Sequence, residues 1–221
     1  MDFVFMLTRG DQTVEDCLEV LDLIEPLEIK HLGFKDVGVD RRTLGKLNER
    51  IKATGAASYM EVVSTTPETC QRSARTAVEI GVDRLLGGTE FEATLAILDE
   101  SGIRYYPYPG RPQGHPTRLG GTAEEIAADC RRTESLGCSG VDLLAFRAFE
   151  ANPLDLIRAA RAALSGDLIV AGSVDSPDRI RALAAAGVDA FTIGSAVFNG
   201  SFSPRKGSLR SQLEDVLSAC S

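Results

Sequence analysis

The sequence predicts a (β/α)8 barrel, the TIM-barrel architecture, with residues 1–221 forming one domain. Three observations lead there. Short apolar runs alternate with amphipathic stretches of helical period, and such alternation builds a parallel sheet. The alternation repeats eight times, the count at which a parallel sheet closes into a barrel. The last two apolar runs, Ile169-Val170-Ala171 and Phe191-Thr192-Ile193, each end in a Gly-Ser turn, Gly172-Ser173 and Gly194-Ser195. A doubly wound open sheet is the competing arrangement.

The elements follow in order. Residues 3–8 read as strand 1. Residues 13–27 carry apolar positions at helical spacing (Val14, Leu18, Leu21, Ile24), with Thr13 and Asp16 as a capping pair and Pro26 at the end. Residues 31–37 are strand 2, and 42–54 a helix stopped by Gly55. Residues 57–64 are strand 3, and Thr66-Pro67-Glu68 opens a helix that Gly81 ends. Residues 82–86 are strand 4, followed by the Gly87-Gly88-Thr89 turn and a helix over about 90–100. Residues 103–108 are an aromatic strand 5. Residues 109–121 form the one long irregular segment before the carboxyl end. Thr122 and Glu125 form a capping box for helix 5. Residues 141–146 are strand 6, Asn152-Pro153 opens helix 6, and residues 208–219 supply the last helix. The unit Gly-Val-Asp recurs at 81–83, 140–142 and 187–189, which fits a repeated β/α design.

Composition narrows the function. With 24 Lys+Arg against 32 Asp+Glu the chain carries a formal charge of −8, which opposes general nucleic-acid binding. Local arginines can still hold a small anion. Five cysteines, with no Cys-x-x-Cys pair, read as reduced thiols rather than a metal site. No apolar run approaches the roughly 20 residues of a membrane span. The amino end lacks the basic leader of a signal peptide. A cytoplasmic protein is expected.

Barrels of this kind place their chemistry at the carboxyl ends of the strands. Strand 1 ends in Thr8-Arg9-Gly10-Asp11, strand 2 in Lys35-Asp36, and strand 6 carries Asp142 and ends in Arg147. Lys35 interrupts an otherwise apolar strand. An unpaired buried ammonium is costly, so Lys35 must reach the mouth or be paired, and Glu61 on strand 3 is its natural partner. Such a pair can move a proton beside a carbonyl or hold an oxyanion. Asp36 points to the opposite face and suits helix packing. The candidate catalytic residues are therefore Lys35, Glu61 and Asp142. Gly172, Ser173, Gly194 and Ser195 are candidate phosphate ligands, because glycine lets backbone amides approach an anion closely. The segment Gly110–Gly121 reads as a basic lid, and Arg111 and His115 join Arg9 and Arg147 as candidate substrate-binding residues. No metal-ligand cluster and no Ser-His-Asp arrangement stands out.

The two Gly-Ser turns with their strands resemble the last two strands of the phosphate-binding (β/α)8 barrels, which include the phosphoribosyl isomerases of histidine and tryptophan synthesis and the ribulose-phosphate epimerases. Strand 2, with Lys35 and Asp36, is faintly similar to that of the orotidine-phosphate decarboxylase and hexulose-phosphate synthase superfamily, although the Asp-x-Lys-x-x-Asp motif is not in this chain. The resemblance implies a phosphate site after strands 7 and 8. It implies an isomerase or lyase acting on a small phosphorylated carbohydrate-like metabolite, without an organic cofactor. The alternative is a non-enzymatic phosphometabolite-sensing barrel resembling the glycerol-uptake antiterminators. The expected partner is the phosphorylated small molecule, with neither nucleic acid nor membrane, and a homodimer is compatible with the sequence.

Overall fold

The computed structural model describes residues 1–64 and 66–220. Eight strands, β1 Asp2–Met6, β2 His31–Lys35, β3 Ala57–Val62, β4 Arg84–Gly87, β5 Arg104–Tyr106, β6 Gly140–Leu143, β7 Asp167–Val170 and β8 Ala190–Ile193, form one parallel sheet in the order β6-β7-β8-β1-β2-β3-β4-β5. Its two ends meet. Ser139 N donates to Tyr105 O at 3.0 Å and Asp142 N to Pro107 O at 2.9 Å, so β5 and β6 close the barrel.

Strand alternation decides what lies inside. On β1, Val4 and Met6 join Tyr59, Leu86, Tyr106 and Ile169 in the barrel interior. Phe3 and Phe5 face outward, with Phe34, Met60, Leu85, Leu168, Val170 and Phe191, into the core between barrel and helices. Gly33 leaves room on the inner face for Met6, since a Cβ there would stand 2.4 Å from Met6 Sδ. The surrounding helices are α1 Cys17–Ile24, α2 Arg41–Ala53, α3 Pro67–Ile80, α4 Phe91–Leu98, α5 Ala123–Ser135, α6 Pro153–Ala163 and α7 Pro177–Ala185, followed by the short α8 Ser195–Phe198 and by α9 Leu209–Cys220. The Thr122–Glu125 capping box forms as expected, and Gly81 ends α3 in the left-handed conformation at φ 70°. No described helix is long and apolar enough to cross a membrane.

Two regions depart from the sequence reading. Strand 1 stops at Met6, and the chain then makes a small antiparallel hairpin, Thr8–Arg9 against Gln12–Thr13. The first helix therefore starts at Cys17, not at residue 13. Thr13 cannot cap it, because its hydroxyl accepts from Lys35 N and donates to Lys35 O, both at 2.8 Å. The long segment after β5 is not irregular. Arg111–Gln113 pairs with Arg118–Gly120 in a second antiparallel hairpin.

Candidate active site

The candidate site is built first from register. In the parallel pairing of β2 with β3, Lys35 lies opposite Glu61. Both are the last inward-facing residues of their strands, so both side chains emerge at the carboxyl mouth. The first hairpin adds a third group. Its tip residues Gly10 and Asp11 both have positive φ, 60° and 61°, which is the conformation of a two-residue turn whose twist matches its strands. That turn drives the Asp11 carboxylate into the mouth.

The resulting network is dense. Lys35 Nζ stands 2.9 Å from Asp11 Oδ1 and 3.2 Å from Glu61 Oε1, and the three side chains are only 7%, 4% and 5% exposed. Tyr108 OH donates to Glu61 Oε1 at 2.5 Å. Arg147, from a turn of 3-10 helix after β6, grips Asp11 with two parallel bonds, Nη1 to Oδ2 at 2.8 Å and Nη2 to Oδ1 at 2.9 Å. Such forked pairs fix geometry as well as charge. Arg147 Nη1 also donates to Thr117 O at 3.2 Å, in the connecting turn of the second hairpin.

Electrostatics follows from this packing. Burial alone would lower the Lys35 pKa, but the charges of Glu61 and Asp11 and the bond to Asp11 outweigh it and leave the value above that of an ordinary lysine. Burial pulls Asp11 upward, and the Arg147 bonds and the Lys35 charge overcome it and hold the carboxyl well below the usual carboxylate range. Asp142 behaves in the opposite way. It is fully buried, neither carboxyl oxygen has a hydrogen-bond partner, and burial together with the Glu61 charge pushes its pKa well above the ordinary value. Burial and the Glu61 charge thus favour the protonated form of Asp142. Tyr108 is likewise kept protonated by burial and by the Glu61 charge.

The two Gly-Ser turns share the cavity with this network. A pocket of about 230 Å³ is lined by Lys35, Asp11, Glu61 and Arg147, by the turn residues 172–175, and by 193–196 after β8, with Thr8, Asn199 and Ser201 also contributing. Gly172 and Ser173 both have positive φ, 76° and 58°. A Cβ at Gly172 would stand 2.3 Å from Arg147 Nε, so the missing side chain is what lets the arginine lie against this turn. The first hairpin reaches the second turn too, with Gly10 N donating to Ser195 Oγ at 3.1 Å.

The structure therefore gathers Lys35, Glu61, Arg147, Gly172, Ser173, Gly194 and Ser195 into one cavity. Asp142 lies sealed beside Glu61 rather than in the cavity wall. Three expected substrate ligands are not brought in. Arg9 is exposed on the first hairpin, on a separate depression with Gln12, Glu15 and Asp16. Arg111 is turned outward by the pairing of the second hairpin and makes ion pairs with Glu125 and Glu150, the latter at 2.6 Å. His115 sits exposed at that hairpin's tip. The expected lid is thus a folded wall, and only its Thr117 carbonyl touches the network. Replacing Arg111 and His115 together by alanine is expected to leave anion affinity unchanged and stability within about half a kcal/mol, as for other exposed sites. A thermal melt with and without phosphate checks both.

Sequence reasoning missed Asp11 and Tyr108. Asp11 sits among the polar residues ending strand 1, where nothing in its type separates it from Arg9. The usable signal was Lys35 itself, since a lysine buried at a barrel mouth calls for more negative charge than one partner. Asp36 accepts from Val63 N at 3.1 Å and from Ser73 Oγ on α3, and so serves helix packing.

No protein-family model matches the chain, and no curated protein matches its sequence. Solved structures do match in shape. An orotidine 5′-phosphate decarboxylase from Pyrococcus horikoshii OT3 superposes with a TM-score of 0.73 at 15% identity, covering 99% of this chain and 98% of that one. A tryptophan synthase complex from Pyrococcus furiosus gives 0.68 at 16% identity, covering 98% of each chain. A structure described as native KDPGal gives 0.67 at 12% identity, covering 99% of this chain and 96% of that one. At these identities the likeness is one of architecture, and with the closed ring of eight parallel strands it establishes the chain as a (β/α)8 barrel.

Proposed function

We propose that the chain is an enzyme that holds a small phosphorylated, carbohydrate-like metabolite in this cavity and acts on it as an isomerase or lyase. One observation carries the reading. The Gly172-Ser173 and Gly194-Ser195 turns line the same cavity as a charged Lys35 flanked by Glu61 and Asp11. The turns suit a phosphate, which backbone amides at glycine-rich turns can approach closely. The lysine suits the reacting end. Held as an ammonium, Lys35 is a hydrogen-bond donor for a carbonyl oxygen that gains negative charge, and Glu61 is the group beside it that can carry a proton. The same state disfavours a Schiff base, which requires the neutral amine. The reading calls on no organic cofactor. A cavity of about 230 Å³ fits a short metabolite and falls below the roughly 300 Å³ at which sites for larger ligands begin. Barrels of the same shape that carry the names of a phosphate-ester decarboxylase and of a tryptophan synthase add support.

Inorganic phosphate titrated against the thermal melt, at constant ionic strength, is expected to stabilise the protein. A ligand at a hundred times its Kd adds about 2.7 kcal/mol. A panel of phosphorylated sugars and sugar acids then identifies the substrate by stabilisation followed by turnover. A melting temperature indifferent to phosphate refutes the phosphate assignment. Stabilisation by a metabolite that is never turned over would favour the sensing alternative.

A further inference from the structure

Both cations of the cavity are already neutralised. The described lining residues include two basic side chains, Lys35 and Arg147, and three acidic ones, Asp11, Glu61 and Asp175. Asp11 is shared by Lys35 and Arg147, Glu61 takes the second side of Lys35, and Asp175 is paired at 3.0 Å with Arg179. Asp142, buried beside Glu61, adds no positive charge in either protonation state. Tyr108, the remaining titratable group facing this cluster, is held protonated. A substrate reaching Lys35 from the Gly-Ser turns therefore meets a donor with no surplus positive charge, and it meets carboxylates on either side of that donor.

We propose that Asp11 is a specificity-determining residue, which restricts the substrate's reacting end to an uncharged carbonyl or hydroxyl and rejects a carboxylate. The inference rests on the reading that the phosphate is held at the two turns, and it adds the chemical class of the other end. A neutral carbonyl oxygen accepts a hydrogen bond from Lys35 without displacing Asp11. A carboxylate in the same place adds a negative charge within a few ångströms of two others, at a site largely shut off from water. Like charges at that separation in such surroundings cost far more than in bulk water. The position of Asp11 supports a dedicated role. It is a non-glycine residue held at φ 61°, its side chain is 4% exposed, and it is fastened by three hydrogen bonds to two cations. Without it, Arg147 and Lys35 would form a carboxylate-binding pair in place of an occupied one.

The test uses three unreactive probes on the full chain: inorganic phosphate, glycerol 3-phosphate with a neutral end, and 3-phosphoglycerate with a carboxylate end. Affinities are measured by calorimetry for the wild type, Asp11→Gly and Asp11→Asn. Glycine suits the positive φ of this position, so the first variant keeps the turn, and asparagine keeps the shape if the first is poorly folded. The wild type is expected to bind glycerol 3-phosphate at least about tenfold more tightly than 3-phosphoglycerate, and either variant is expected to abolish or invert that preference. Equal binding of the two esters by the wild type overturns the proposal, as does a preference that survives both substitutions. Phosphate separates the failures. If phosphate binds but the esters are not distinguished, only this inference falls. If phosphate does not bind, the reading of the turns falls and takes the inference with it.

Discussion

Lys35→Met is expected to destabilise the fold by about 3–5 kcal/mol and to lower turnover at least about a hundredfold. The stability loss comes from what is left behind. Methionine fills much of the same volume, but Glu61 keeps only Tyr108 as a partner, and Asp11 keeps only Arg147. Both carboxylates are shut off from water, and a buried charge deprived of its partner costs more than the pair itself contributes. The pH dependence has a definite sign. In the wild type, Asp11 has its carboxyl pKa depressed despite burial, so its contribution is complete above the ordinary carboxylate value and disappears as pH falls through the depressed one. Methionine at position 35 removes part of that depression. The stability gap between wild type and variant should therefore be widest near neutral pH and narrow below about pH 4, where the Asp11 carboxyl of the variant takes up its proton. Urea unfolding at a series of pH values measures this. A gap independent of pH would mean that the loss comes from packing and not from charge.

Gly194→Ala is expected to cost about 1–3 kcal/mol and to abolish phosphate binding. The new methyl carbon would stand 2.5 Å from Thr8 Oγ1, 2.7 Å from Thr8 O and 3.1 Å from Met6 O. Two of those three atoms are backbone, so no rotamer change relieves the clash. Either the end of β1 with its hairpin moves or the turn after β8 does, and both line the cavity. Gly207→Ala is the control, since a Cβ there meets nothing within 4 Å. Chemical unfolding of both variants, with and without phosphate, checks the pair. Phosphate binding that survives in the Gly194 variant would remove this turn from the site.

Much of the architecture was legible because it rests on repeated local rules. Alternating apolar runs, helix-opening prolines and the Thr122–Glu125 box each report on their own neighbourhood, and eight repeats leave little choice of topology. The Lys35–Glu61 pair was legible for a related reason. Neighbouring parallel strands end at the same rim, so the last polar residues of strands 2 and 3 must meet. The hairpins were not legible. Thr8 to Thr13 holds too few residues for a period to emerge, and Thr13 followed by Asp16 imitates a helix start. Its hydroxyl is engaged instead by the backbone of Lys35, a partner distant in sequence. The segment after β5 was misread for a different reason. Its arginines and histidine suggested attraction to an anion, while the pairing of Arg111–Gln113 with Arg118–Gly120 turns that charge toward Glu125 and Glu150.

The contact between Gly172 and Arg147 also constrains how this sequence can vary. A side chain of any size at position 172 would overlap a guanidinium that is itself anchored on Asp11. The three positions are coupled in space: a β-carbon at 172 fits only if the arginine at 147 moves off the turn, and with it the charge that Asp11 answers. The placing of the arginine in the cavity thus depends on the glycine that faces it.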